Sequence, residues 1–274
     1  MKAAVRHEYG PPDVLKVEEV PKPTPRDDEV LVRVHAASVN LGDWEILTAD
    51  PLYITVLARI FGPKPRNDPV SSNDGGAPAR KGGLFKPKYK ILGTDIAGRV
   101  EAVGGNVTQF QPGDEVFGDC AVFGAFAEYV CLPKEACLVP KPASMTFEQA
   151  AAVPQAAFIA LQGLRDKAQV QPGQTVLING AGGGAGTFAV QIAKSYGADV
   201  TGVDGTNKLE MLRAIGADHV IDYTQEDFTR NGQRYDVILD LAAYRTVFES
   251  RRSLTPNGIY LRAGGSGTAM WQSL

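Results

Sequence analysis

Residues 175–203 read TVLINGAGGGAGTFAVQIAKSYGADVTGV, and the first twelve of them decide the fold. Thr175 to Asn179 is a short apolar, β-branched run, the composition of a buried strand. Five of the next seven residues are glycine: Gly180, Gly182, Gly183, Gly184 and Gly186. Phe188, Ile192, Ala193 and Tyr196 then share one helical face. A glycine pattern alone is weak; a strand before it and a helix after it give it meaning. Glycines let the backbone turn tightly and meet an anion without a Cβ in the way, and a helix start offers free N–H groups and a positive dipole end. The pattern therefore predicts a dinucleotide pyrophosphate on Gly180, Gly183, Gly184 and Gly186. A tight turn with no ligand is the plainer alternative.

Working outward, strand and helix signals alternate. Asp199 to Val203 reads as a strand, a helix from about Asn207 ends at Gly216 as its C′ residue, and His219 to Ile221, Asp236 to Leu241 and Gly258 to Arg262 read as further strands. That spacing means right-handed crossovers and a parallel sheet. Upstream, Thr146-x-x-Gln149 resembles a capping box ahead of an apolar helix running towards Leu164. Gln-Pro-Gly occurs at Gln111 and again at Gln171, each time before a strand, as one turn chemistry used twice. Asp204 closes the second strand, eighteen residues after Gly186. An acid there can accept hydrogen bonds from ribose hydroxyls and repel a 2′-phosphate. Thr206 and Lys208 stand close by and suit that phosphate instead, so the residues alone leave NADH and NADPH both open.

The first half has another texture. Val30 to Val34 alternates like a half-buried strand; Ile96 to Val103, the EVFG at Glu115 and Ala125 to Val130 add short strands punctuated by Gly and Pro, which points to a small barrel or sandwich. Residues 62–90 break the pattern with prolines, glycines and lysines, the composition of a solvated insertion, with an active-site lid as the alternative.

The chain has 274 residues, enough for two modest domains, a net charge of −3 and a pI near 5.7, which argues against a general nucleic-acid binder. Cys120, Cys131 and Cys137 form no C-x-x-C pair, so a disulfide framework is not expected and a cytoplasmic setting fits. No apolar run has the ~18 residues of a membrane span, and the N-terminus lacks a signal-peptide core.

The run quoted above, with LRAIGADHVIDY and YDVILDLA after it, resembles the quinone oxidoreductase branch of the medium-chain dehydrogenase/reductase superfamily. ASVNLGDW, ILGTDIAGRVEAVG, PGDEVFG and FAEYVCLP upstream look like its GroES-like catalytic domain. The resemblance implies an α/β protein: a GroES-like β-rich catalytic domain over residues 1–144 and a Rossmann doubly wound parallel sheet over 145–274. It implies NAD(P)H-dependent reduction of quinones or α,β-unsaturated carbonyls, a small-molecule carbonyl or quinone as substrate, and no nucleic acid. Asn40 and Asp43 match the family's Asn-x-x-Asp segment, which the resemblance implies lines the catalytic cleft and faces the substrate, local turn and cap chemistry being the plainer reading. Tyr53 is a candidate proton donor by analogy with enoyl reductases. Lys208 and Tyr223 match positions that hold the 2′-phosphate side of NADPH, which tilts the cofactor towards NADPH with NADH as the alternative. Gly264 and Gly265 match the backbone that approaches the nicotinamide.

Zinc enzymes share this fold, and a catalytic zinc needs about three Cys, His, Asp or Glu ligands. This chain has Asn40 near the place of their first cysteine and Gly93-Thr94-Asp95 for their Gly-His-Glu; His7, His35 and His219 are scattered. No zinc is expected. Three departures from the family stand out. Ile159 replaces a frequent threonine, Leu241-Ala242-Ala243 replaces the commoner Asn-Val-Gly, and relatives continue beyond the Gly264–Gly267 segment with a sixth strand. The reading is of a C-terminally truncated Rossmann sheet, which leaves the family's homodimer edge incomplete. Two alternatives stay open: a zinc-free alcohol dehydrogenase or enoyl-thioester reductase, and a nucleotide-binding protein with a structural role.

Overall fold

The computed structural model describes residues 1–49, 87–120 and 123–264. The chain divides into two units, Met1–Pro154 and Gln155–Leu274. No helix among the described residues is long and apolar enough to cross a membrane.

In the first unit, β1 (Lys2–Val5) and β2 (Lys16–Glu19) pair antiparallel. β3 (Glu29–Ala37), β4 (Asp95–Val103), β5 (Glu115–Asp119), β6 (Tyr129–Pro133) and β7 (Cys137–Pro140) form an antiparallel sheet in the order β6-β3-β4-β5-β7. The alternation seen in Val30 to Val34 is spent on its core: Val30, Val32, Ile96, Val100, Val116, Val130 and Leu132 are buried together. Each such side chain contributes about 1.5–3 kcal/mol by leaving water. The expected strand at Ala125 to Val130 starts four residues later, at Tyr129. The amides of Ala125 and Phe126 are already given to the carbonyls of Gly93 and Leu92, so the segment first wraps a turn and only then joins β3.

Helix α1 (Leu41–Thr48) follows β3, and α2 (Phe147–Ala151) lies against the sheet through Ala150 and Ala151, which pack with Ala97. The expected capping box is present: the Gln149 amide donates to Thr146 Oγ1 at 3.2 Å, and the Thr146 amide to Gln149 Oε1 at 2.9 Å. The apolar helix expected to run unbroken towards Leu164 is in fact interrupted. Pro154 has no N–H to continue α2, so a new helix, α3 (Pro154–Leu161), starts there, and a π-helical turn (Gln162–Lys167) carries it on. The Ala168 amide reaches back five residues to Gly163 O, the signature of that wider turn.

In the second unit, β8 (Thr175–Asn179), β9 (Asp199–Asp204), β10 (His219–Asp222), β11 (Tyr235–Asp240) and β12 (Leu254–Arg262) make a fully parallel sheet ordered β10-β9-β8-β11-β12. Helix α4 (Gly184–Ser195) joins β8 to β9 and α5 (Leu209–Ala214) joins β9 to β10. The second begins as a single 3-10 turn, Thr206–Lys208, at the place where a helix from about Asn207 is expected. Gly216, at φ +110°, ends it as the C′ residue. A short α6 (Val247–Ser250) precedes β12. Val176, Ile178, Ala189, Val190, Val200 and Val237 fill the core between sheet and helices. The two Gln-Pro-Gly turns are alike in detail. Gly113 and Gly173 have φ +99° and +81°, and in each the residue after the glycine donates its amide back to the glutamine carbonyl at 3.2 Å. The strand order reverses between β8 and β11, and in such sheets ligands bind beyond the carboxyl ends of the strands at that point.

Candidate functional site

The glycine loop leaves β8 at Gly180, whose φ of +82° is a conformation that suits glycine. The amides of Gly180 and Ala181 both donate to Val203 O, at 3.0 and 3.1 Å, which pins the loop to β9. Gly186 must lack a side chain, since a Cβ there would lie 2.2 Å from Gly180 O. Gly183 is the N-cap of α4 and makes no side-chain cap. The amides of Gly184, Ala185 and Gly186 open the helix with no carbonyl four residues back inside it. Beside Gly184 the space is open: a Cβ there would meet nothing nearer than Ala156 Cβ at 3.9 Å. Free amides, a positive helix end and an open approach fit the pyrophosphate of a dinucleotide.

Asp204 ends β9 beneath this loop. Its Oδ2 accepts from the Gly182 amide at 2.7 Å and its Oδ1 from the Gly205 amide at 2.8 Å. Lys208 Nζ lies 3.3 Å from the same Oδ1, and its stem crosses Gly182, whose Cβ would sit 2.4 Å from Lys208 Cδ. Asp204, Thr206, Lys208 and Tyr223 are thus gathered around the β9 end of the loop: the Tyr223 amide donates to Asp204 O at 3.2 Å, and its exposed ring borders Gly205. The Thr206 hydroxyl donates to Asp222 Oδ2, a carboxylate that the sequence reading did not single out. Thr206 and Thr224 hold the Asp222 carboxyl below its ordinary range.

On the other side of the switch point lies a second network that sequence reasoning missed. Asp240 ends β11 and is fully buried. Its Oδ1 accepts from Asn179 Nδ2 at 2.8 Å and from the Ala243 amide at 2.6 Å; its Oδ2 accepts from the Tyr260 hydroxyl at 2.8 Å. Burial, with Asp240 beside it, pushes the Tyr260 phenol well above its ordinary value. The segment 241–243 that follows packs tightly: a Cβ on Gly180 would meet Ala242 N at 3.2 Å, and one on Gly264 would lie 2.1 Å from Leu241 O. Gly264 is therefore held against this segment. Gly265 lies outside the described residues. One signal for Asp240 was available: an acid directly after the apolar run Val237-Ile238-Leu239 demands partners.

In the first unit, Asn40 caps α1. Its amide donates to Asp43 Oδ2 at 2.9 Å, and the Gly93 amide donates to Asp43 Oδ1 at 3.0 Å. The Asn40 side-chain nitrogen is spent inward, on Ser38 Oγ at 3.2 Å and Asp95 Oδ2 at 3.1 Å; Ser38 Oγ donates to the same Asp95 oxygen. Burial raises the Asp43 carboxyl above its ordinary range against these two backbone bonds, with Asp95 and Asp119 adding to the rise. Tyr53 lies outside the described residues. His7 pairs with Glu18, His219 with Asp199, and His35 stacks on Phe147. Among the described residues no group of three or more His, Cys, Asp or Glu side chains is placed to hold a metal ion.

Residues 26–143 match the family model described as alcohol dehydrogenase GroES-like domain, and residues 184–270 the one described as zinc-binding dehydrogenase. The quinone oxidoreductase of Pongo abelii is 30% identical over 98% of this chain and 74% of its own length. This chain belongs to the quinone oxidoreductase branch of the medium-chain dehydrogenase/reductase family. Its likeness extends to the 2-methylene-furan-3-one reductase of Solanum lycopersicum, 34% identical over 88% of this chain, of which this chain spans 56%. The quinone oxidoreductase of Escherichia coli, solved in complex with NADPH, superposes with a TM-score of 0.78 at 26% identity, over 97% of this chain and 74% of that one. The GroES-like unit and the Rossmann unit expected from the sequence are those of the family.

Proposed function

We propose that this chain reduces quinones or α,β-unsaturated carbonyl compounds with NADPH. One observation carries the reading: the open amides of Gly184, Ala185 and Gly186 stand at the switch point of the parallel sheet, on a loop whose Gly182 lies against Lys208. The relatives support the reaction class, since one is a quinone oxidoreductase and another reduces 2-methylene-furan-3-one, itself an unsaturated ketone. The NADPH in the Escherichia coli relative supports the cofactor.

Gly183, Gly184 and Gly186 hold the pyrophosphate, and Lys208 with Tyr223 takes the 2′-phosphate; a bound reduced nicotinamide supplies a hydride. Lys208 can turn to a phosphate at small cost, because a half-exposed ion pair such as Lys208–Asp204 is worth about 0–1 kcal/mol. Asn40 does not act as the donor to a substrate oxygen while Ser38 and Asp95 hold its nitrogen; it and Asp43 fix the β3–α1 corner of the catalytic unit. The proton that completes reduction comes from a side chain or from water. A second reading of the cofactor rests on Asp204, whose carboxylate at the end of β9 suits the ribose hydroxyls of NADH.

The experiment is oxidation of NADPH and NADH followed against a benzoquinone, a small enone and an alcohol–NADP pair. Turnover of quinone or enone with NADPH is the expected result. Activity only in alcohol oxidation, or tight binding with no turnover, overturns the reaction. An NADH preference that survives Lys208→Ala overturns the cofactor assignment.

A further inference from the structure

We infer that Asp222, acting through the Thr206 hydroxyl, is a specificity-determining residue that biases the adenosine-ribose end of the cofactor site towards a hydroxyl and against a 2′-phosphate, and so narrows the preference for NADPH. The inference rests on the nucleotide reading given above. Three observations carry it. First, Asp222 stands where that end of a dinucleotide lies. It closes β10 as the register partner of Asp204, which closes β9. Strands paired in this way run about 4.8 Å apart. Thr206 and Lys208 follow Asp204 in the chain, and Tyr223 follows Asp222. The Tyr223 ring comes within 3.6 Å of where a Cβ on Gly205 would sit, so the ends of β9 and β10 share one border.

Second, the Thr206 hydroxyl is committed. It gives its proton to Asp222 Oδ2. A hydroxyl has one proton and two lone pairs, so Thr206 meets a ligand as an acceptor. A ribose 2′-hydroxyl can donate to it. A 2′-phosphate dianion has no proton to give and is acceptor throughout. The phosphate role that the sequence suggests for Thr206 needs the same proton that Asp222 receives.

Third, the groups that hold Asp222 keep it ionised and are themselves neutral. Its Oδ1 accepts from the Thr224 amide at 2.9 Å and from the Thr224 hydroxyl at 2.7 Å. These bonds and the one from Thr206 hold the carboxyl below its ordinary range. Lys208 Nζ, the cation that draws the phosphate, lies 3.3 Å from Asp204 Oδ1. A phosphate that displaces Asp204 there still meets a second carboxylate, hydrogen-bonded to the residue two before Lys208. Like charges this close repel even in a solvated site.

Asp222→Asn keeps the shape and reverses both effects. The amide oxygen still accepts from Thr224, the NH2 donates to Thr206 Oγ1, and the Thr206 proton is freed to donate to a phosphate. Titration calorimetry with NADPH and with NADH gives the ratio of dissociation constants, NADH over NADPH. Asp222→Asn raises that ratio about threefold or more, through tighter NADPH binding. Thr206→Val removes the acceptor offered to the ribose hydroxyl, weakens NADH about twofold or more and leaves NADPH alone. In the Thr206→Val background, Asp222→Asn raises the ratio by less than it does alone. Asp236→Asn neutralises another threonine-held carboxylate, at the opposite end of the sheet, and leaves the ratio unchanged. An unchanged or lowered ratio in Asp222→Asn, an effect just as large without the Thr206 hydroxyl, or an equal rise with Asp236→Asn overturns the inference. Should Asp222→Asn fail to fold, Thr206→Val decides alone: NADPH weakened as much as NADH, or neither weakened, overturns it. Wild-type protein that binds neither nucleotide overturns the nucleotide reading, and this inference falls with it.

Discussion

The backbone amide of Ala243 donates to Oδ1 of Asp240 at 2.6 Å while Ala243 itself is held at φ +48°, in the left-handed region. An alanine there costs roughly 1–2 kcal/mol relative to ordinary backbone. The hydrogen bond and full burial of the residue hold it in place. Relatives commonly have glycine at the matching position, and the geometry gives the reason. Ala243→Gly relieves the strain but loses a buried methyl and gains unfolded-state freedom, so stability stays within about 1 kcal/mol of wild type. Ala243→Val adds a β-branched side chain where neither φ nor space admits it, and lowers stability by about 2 kcal/mol or more. Urea unfolding of the two variants checks this; a Val variant as stable as the Gly variant would show that the left-handed turn is not a constraint.

Two glycines of the cofactor loop separate fold from binding. Gly186→Ala places a Cβ 2.2 Å from one backbone carbonyl oxygen and 2.5 Å from a second, neither of which can move freely. It lowers stability by roughly 2–3 kcal/mol and abolishes cofactor binding. Gly184→Ala meets open space, so the thermal midpoint holds, yet the methyl stands where the ligand phosphate must approach. Its dissociation constant for either cofactor rises about tenfold or more. Unimpaired binding by Gly184→Ala would move the pyrophosphate away from this loop.

Why the glycine loop was legible and Asp240 was not follows from the range of the interactions. Strand, glycine turn and helix are written within a dozen residues, as are both Gln-Pro-Gly turns and the Gly216 stop, because period and turn chemistry are local. The break at Pro154 was equally local, but the apolar run around it outweighed one missing N–H. Asp240 meets Asn179 sixty-one residues away, and Asn40 is turned by Asp95 fifty-five residues away. No window of sequence holds both partners. That distance is also why the Asn40 amide was expected to face a substrate, whereas its nitrogen is bound inward.

Asp43 sets a pH dependence whose sign is fixed by its burial. Its folded pKa lies above the unfolded one, so the folded state holds this proton more tightly. The stability it contributes is complete below the unfolded value, about 3.9, and is lost as pH rises from there through the raised folded value. The stability difference, wild type minus Asp43→Asn, therefore shrinks across that window and is flat above it. Carboxylates held low, such as Asp236 and Asp222, weaken both proteins alike in acid and cancel from the difference. Paired urea titrations from about pH 4.5 to 7.5 measure the slope; a difference that grows with pH would mean that the backbone bonds from Asn40 and Gly93 outweigh burial.

The three thiols differ enough in surroundings to be counted apart. Cys120 and Cys131 are buried, and Cys137 is exposed. Burial pushes the Cys120 thiol well up, and the carboxylates of Asp119, Asp95 and Asp43 push the same way, so almost none of it is the reactive thiolate near neutrality. Cys137 stands at the surface, open to a reagent. Native protein titrated with a chromogenic disulfide therefore shows one fast thiol, removed by Cys137→Ser, and denatured protein shows three. The rate at the other two tracks opening of the β-sheet around them, and added urea raises it before the global transition only where the sheet opens locally. A second fast thiol in native protein would place Cys120 or Cys131 at the surface and contradict their burial.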